Sequence, residues 1–109
     1  MTFEEYQKEA IKTAKYPKIT EDFVYPMIGL SGEAGEVANK VKKIFRDDNG
    51  VLTDERKKEI NHELGDLLWY MSQLATDLGI SLDEVAVENL KKLAARQQKN
   101  TIVGDGDNR

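Results

Sequence analysis

Apolar residues return every three or four positions along most of the chain, and glycine, proline and short polar clusters interrupt that rhythm. The spacing predicts four helices separated by loops. Phe3, Tyr6, Ala10 and Ala14 share one face, and Thr2 with Glu5 forms a capping-box pattern, so the first helix is predicted from Phe3 to about Ala14. The stretch from Tyr16 to Tyr25, which contains Pro17, reads as a loop. A second helix is expected to start near Pro26, a residue suited to a first turn, and to run to about Phe45. The turn-forming run Asp47-Asp48-Asn49-Gly50 then breaks it. Thr53 can cap a long third helix reaching Leu78, where Gly79 offers a stop. Ser81 and Glu84 repeat the capping box and open a fourth helix to about Lys99. No strand-like alternation extends beyond a few residues, so the class is all-α. Short connections before the third and fourth helices favour antiparallel neighbours in a bundle.

With 109 residues the chain can build one modest core, and residues 1–99 are expected to form a single helical domain. Residues 100–109 carry no period and are expected to form a flexible tail unless something docks it. The formal net charge of -4 argues against a broad nucleic-acid surface, which needs clustered Lys and Arg, but leaves room for a small phosphorylated ligand. No apolar run approaches the roughly 20 residues that cross a bilayer. The start, MTFEEYQKEA, lacks the basic and apolar regions of an export signal, and cysteine is absent. These features lead to the expectation of a cytoplasmic protein without disulfides or thiolate metal sites.

Charge changes the picture most on the second and third helices. Leu30, Ala34, Val37, Val41 and Ile44 make an apolar stripe, with Glu33 and Glu36 just past one edge and Lys40 and Lys43 on that same edge. On the third helix Ile60, Leu64, Leu67, Leu68, Met71, Leu74 and Leu78 form the stripe, and Glu59, Glu63, Asp66 and Tyr70 run along its border. If the stripes pack together, four carboxylates can face one another across a cleft. Same-sign neighbours repel, and more so when partly desolvated, so a cation is expected between them. Oxygen-only ligands suit a hard divalent ion such as Mg²⁺. The alternative is that the pairs lie on solvated faces of a highly charged chain and bind nothing.

The fourth helix places Asn89 near the middle of the stripe formed by Leu82, Val85, Ala86, Leu90 and Leu93, with Lys92 and Arg96 alongside. A buried amide must find partners, either a backbone carbonyl or a ligand. His62, the only histidine, faces away from its stripe and reads as exposed or at an interface. Trp69 stands near Gly65, Ser72 and Thr76, which suggests close packing on the first helix or on a second subunit. Gln7 lies on the apolar face of the first helix, as a satisfied polar group or a ligand contact.

The strings GLSGEAGEV, ELGDLLWY and ENLKKLAAR give the chain a resemblance to the MazG-like branch of the all-α nucleoside triphosphate pyrophosphohydrolases, from YQKEA onward. The family's ExxE and ExxD motifs are matched by Glu33-Ala-Gly-Glu36 and Glu63-Leu-Gly-Asp66. The resemblance implies hydrolysis of a (deoxy)nucleoside triphosphate to the monophosphate and pyrophosphate. It implies Mg²⁺, with Mn²⁺ as a substitute, held by Glu33, Glu36, Glu63 and Asp66. It also carries Asn89, Lys92 and Arg96 to the nucleotide, makes Tyr70 the site-proximal aromatic, and implies a homodimer or dimer of dimers of four-helix bundle-like subunits. Lys40 and Lys43 are further candidates for phosphate oxygens. No GxxxxGK loop is present, which excludes a P-loop kinase or ATPase, and Glu-x-x-His occurs once, at Glu59-Ile-Asn-His62, where a di-iron bundle needs it repeated. Nucleotide-pool housekeeping is the expected purpose. Alternatives are a specialised dUTP, dCTP or phosphoribosyl-ATP pyrophosphohydrolase, and a non-catalytic metal-binding helical assembly module.

Overall fold

The computed structural model describes residues 1–100 and 102–107; Thr101, Asn108 and Arg109 of the expected tail lie outside the described residues. Its elements are α1 (Phe3–Ala10), a 3₁₀ turn (Ile11–Thr13), α2 (Val24–Asp47), α3 (Asp54–Asp77) and α4 (Leu82–Gln98). All four helices predicted from periodicity are present, and no strand occurs among the described residues.

Side-chain caps set three of the starts. The hydroxyls of Thr2, Thr53 and Ser81 accept from the backbone N–H groups of Glu5, Arg56 and Glu84, at 3.1, 3.1 and 3.4 Å. At the end of α3, Gly79 takes a left-handed φ of 71°, which lets the Ile80 N–H reach back to the Ala75 carbonyl at 2.8 Å. α1 is shorter than the expected run to Ala14, because its last turn tightens into the 3₁₀ turn.

The hairpin of α2 and α3 is the main packing unit, with α1 laid on α3, and α4 packed on α1 and α3. Gln7 ties three of these elements together: its Nε2 donates to Thr76 Oγ1 and the Ile80 carbonyl, both at 3.0 Å, and its Oε1 accepts from the Leu82 N–H at 2.9 Å. Gln7 is thus a satisfied polar group of the fold. Trp69 resolves in the same way, since its Nε1 donates to Ala10 O at 3.2 Å and Thr13 Oγ1 at 2.9 Å, which fixes it against the end of α1.

The expected stripes are less covered than their periodicity implies. Leu64 and Met71 of α3, Leu78 just past its end, Val41 of α2, and Val85, Leu90 and Leu93 of α4 are exposed, while Ser72, Gln73 and Ala75 are buried. Asn89, expected in a buried position, is exposed, and Arg96, about two turns beyond it, is buried. The reason lies in the rotation of the helices: α3 turns its polar border, not the centre of its apolar stripe, toward the interior of the chain. The Cα radius of gyration is 16.9 Å, against about 13 Å for a close-packed domain of this length. The single chain is therefore open, with apolar faces left outward.

Candidate functional site

Glu63, Asp66, Tyr70, Gln73 and Asp77 recur at helical spacing along one face of α3. At its upper end, ligand oxygens of Glu33 from α2 and of Glu63 and Asp66 from α3 all lie within 4.8 Å of one another. Two of these residues are half-buried and Asp66 is exposed, so the cluster opens to solvent on one side. Glu33 bears the consequence. Its carboxyl is pushed above the ordinary carboxylate range by partial burial, then by the charge of Asp66, with a hydrogen bond shared with Glu63 adding to the shift. Glu33 and Glu63 can share such a bond only if one of them holds a proton. A cation would replace that proton.

The donor set fits a hard divalent ion. Its ligands are carboxylates only, and oxygens on opposite sides of an octahedral Mg²⁺ stand about 4.2 Å apart, close to the spread of the cluster. Glu36 does not join that group. It is exposed, and with Gly32, Gly35, Ala38, Asn39 and Lys42 it lines a shallow depression on the outer side of α2.

Aromatic side chains flank the cluster at Tyr70 and Tyr6 and continue away from it along α3 to Tyr16. The Tyr70 ring lies flat against Gly29, where an added β-carbon would fall inside the ring's van der Waals envelope. Burial raises the Tyr70 hydroxyl above its usual range, as do the neighbouring Tyr25, to which it is hydrogen-bonded, and the charges of Glu33 and Asp66. Tyr70 stands edge-on to Trp69 with centroids 5.0 Å apart. Tyr16 stacks on Tyr25 at 5.2 Å and 6°, and its hydroxyl donates to Asp77 Oδ2 at 2.6 Å. Burial and the hydrogen bond to Asp77 raise the Tyr16 hydroxyl far above its ordinary value. From α1, Tyr6 is raised by burial and by the charge of Asp66. Tyr6, Tyr16 and Tyr25 carry no motif of their own, and only the folded chain brings them here.

The candidate cations divide into two groups. Lys40 Nζ stands 3.8 Å from Glu59, whose Oε2 also accepts from Arg56 Nη1 at 2.8 Å, while Arg56 Nε donates to Asp48 at 3.0 Å. Glu59 is thus held by two bases. Lys43 is half-buried on the same side of α2, near Asp47. Asn89, Lys92 and Arg96 belong to α4, which packs on α1 and α3, whereas the acids stand at the seam of α2 and α3. Lys92 Nζ and Arg96 Nη2 each approach Asp107 Oδ1 at 3.0 Å. His62 is exposed beside Gly65 and Asp66 on a shallow groove of α3.

Helices alone, with carboxylates from two of them gathered at one seam, define the class: an all-α protein with an inter-helical acidic cluster. The chain belongs to the family of the MazG nucleotide pyrophosphohydrolase domain, whose profile matches residues 26–101 and so includes both acidic motifs. The chain is also similar to the gene 37 protein of Mycobacterium phage L5, at 48% identity over 109 residues, covering 95% of this chain and 96% of the phage protein. No solved structure matches it. No described helix is long and apolar enough to cross a membrane.

Proposed function

We propose that the protein hydrolyses nucleoside or deoxynucleoside triphosphates to the monophosphate and pyrophosphate, with Mg²⁺ as its cofactor and Mn²⁺ as a substitute, as cytoplasmic housekeeping of the nucleotide pool. The observation that carries this reading is the convergence of Glu33, Glu63 and Asp66 in a chain of the MazG family. A divalent ion bound there neutralises phosphate oxygens and makes water a stronger nucleophile at neutral pH.

In this reading Glu33, Glu63 and Asp66 hold the ion, and Glu36, three residues along α2 from Glu33, supplies a fourth carboxylate by swinging in from the outer side. Tyr70, beside Glu33 and Asp66, is the aromatic that meets the substrate. Lys40 and Lys43 stand on α2 beyond the acids, at helical spacing suited to phosphate oxygens. Asn89, Lys92 and Arg96 engage the rest of the nucleotide. Glu59 is already paired with Arg56 and Lys40, so the proton of the attacking water falls to a carboxylate of the cluster.

The subunit is proposed to associate as a homodimer or a dimer of dimers. The outward Leu64, Met71, Val41 and Leu90, at 48, 39, 40 and 67% exposure, support this, as does the open shape of the single chain.

The test is product analysis of the full chain with Mg²⁺ and a panel of triphosphates that includes dUTP, dCTP and phosphoribosyl-ATP. Release of pyrophosphate and a monophosphate is expected, and Glu63→Gln should abolish it while helical circular dichroism persists. A preference confined to one of those three substrates would make the enzyme a specialised one. If no nucleotide is cleaved while Mg²⁺ still raises the melting temperature, the protein is a metal-binding assembly module. Orthophosphate as the product would refute the proposed bond cleavage.

A further inference from the structure

The tail carries an acid that occupies the cations of α4. Lys92 Nζ and Arg96 Nη2 converge on one oxygen, Asp107 Oδ1, both at 3.0 Å, and Arg96 Nη2 also donates to the Asp107 carbonyl at 3.1 Å. The two halves of this contact are unequally seated. The Arg96 side chain is 6% exposed and fixed within a helix, whereas the Asp107 side chain is 79% exposed at the end of an irregular stretch that turns at Gly106 with φ 75°. The cationic half is built into a helix, and the anionic half stands on an exposed irregular segment. A phosphate group brings more negative charge than a single carboxylate, and a third oxygen, to the same fork of donors.

We propose that Asp107 is an internal stand-in for a phosphate group, so that a polyphosphate substrate and the C-terminal tail compete for Lys92 and Arg96. The proposal rests on the reading of those two residues as nucleotide contacts. In the free protein the tail lies over the pair, and a nucleotide that engages it must first lift residues 102–107. An ion pair to so exposed a carboxylate is a weak latch, which suits a segment that yields to substrate.

The experiment measures binding of inorganic tripolyphosphate to the full chain by calorimetry at fixed ionic strength. Asp107→Asn and Asp107→Ala are each expected to bind it roughly three- to fivefold more tightly than the wild type. Lys92→Gln should weaken binding, and in the double variant with Asp107→Asn the gain should shrink. A second measurement needs no substitution: tripolyphosphate should speed amide hydrogen exchange in residues 102–107 of the wild type. Unchanged or weaker binding by both Asp107 variants, or exchange in 102–107 that tripolyphosphate leaves unaltered or slows, would overturn the proposal. Tighter binding without hydrolysis of any nucleotide would remove the enzymatic reading and leave the latch. Hydrolysis without tighter binding would do the reverse.

Discussion

Replacing Gly29 by alanine puts the packing of the site to a direct test. A β-carbon at this position would overlap three carbons of the Tyr70 ring, Cδ1, Cε1 and Cζ, and the ring has little freedom to retreat. It is backed by Trp69 at 5.0 Å and hydrogen-bonded to Tyr25. Two opposing effects decide the sign. Alanine favours a helix interior over glycine by about 1 kcal/mol, while overpacking a well-filled contact costs about 1–3 kcal/mol. Since the clash is with a ring pinned on two sides, the upper part of that range applies and the net loss is about 1–2 kcal/mol. For a domain near this size each kcal/mol lowers the melting temperature by about 4–8 °C. Gly32→Ala is the control, because a β-carbon there meets nothing within 4 Å, and it should gain up to about 1 kcal/mol from helix propensity. Thermal unfolding followed by circular dichroism separates the two variants. Tyr70 adjoins Glu33 and Asp66, so Gly29→Ala should also weaken Mg²⁺ binding. A Gly29→Ala protein as stable as Gly32→Ala would refute the close approach of α2 and α3 at this point.

Three other outcomes follow from the same packing. Without metal, the raised carboxyl of Glu33 means that the folded state binds more protons than the unfolded chain above the ordinary carboxylate range. Its contribution is therefore fully present below that range and is lost as pH rises through the folded value, so urea midpoints should show this fall in the wild type and not in Glu33→Gln. Added Mg²⁺ should reverse the fall at neutral pH, by about 2.7 kcal/mol at a hundred times Kd, and failure of the ion to stabilise the wild type would contradict the proposed ligand set. Gln7→Leu strands the Leu82 N–H and the Ile80 carbonyl, and should cost about 2–3 kcal/mol in chemical unfolding; a loss below about 0.5 kcal/mol would mean that Gln7 does not join α1 to the α3–α4 corner. Trp69→Phe removes the donor to Ala10 and Thr13 but keeps most of the ring, so a loss of about 1 kcal/mol is expected, and none at all would place the indole elsewhere.

Helix number and approximate limits were legible because they are local. Thr2, Thr53 and Ser81 cap where their neighbours in sequence permit, and Gly79 reverses the chain where only a left-handed residue can. The acids Glu33, Glu63 and Asp66 were legible as a border, since a helical period fixes which residues share one side. The period does not fix how far one helix is rotated against another. That rotation decides why Asp66 and Tyr70 face α2 while Leu64 and Met71 face outward, why Glu36 stands outside the cluster, and why Arg96 is buried where Asn89 was expected. The convergence of Tyr6, Tyr16 and Tyr25 on the seam depends on the loop before α2 and on the docking of α1, which no periodicity encodes. A periodic apolar stripe also need not be covered by its own chain, as the exposed Leu64, Met71 and Leu90 show.

Chelation of a divalent ion by carboxylates of α2 and α3 together can be read from Mn²⁺ paramagnetic broadening of the backbone amide resonances. Substoichiometric Mn²⁺ should first erase the signals around Glu33, Glu63 and Asp66 on both helices, and excess Mg²⁺ should restore them. Broadening that spreads evenly over the acidic surface, or that centres on Asp47 and Asp48 instead, would contradict the account.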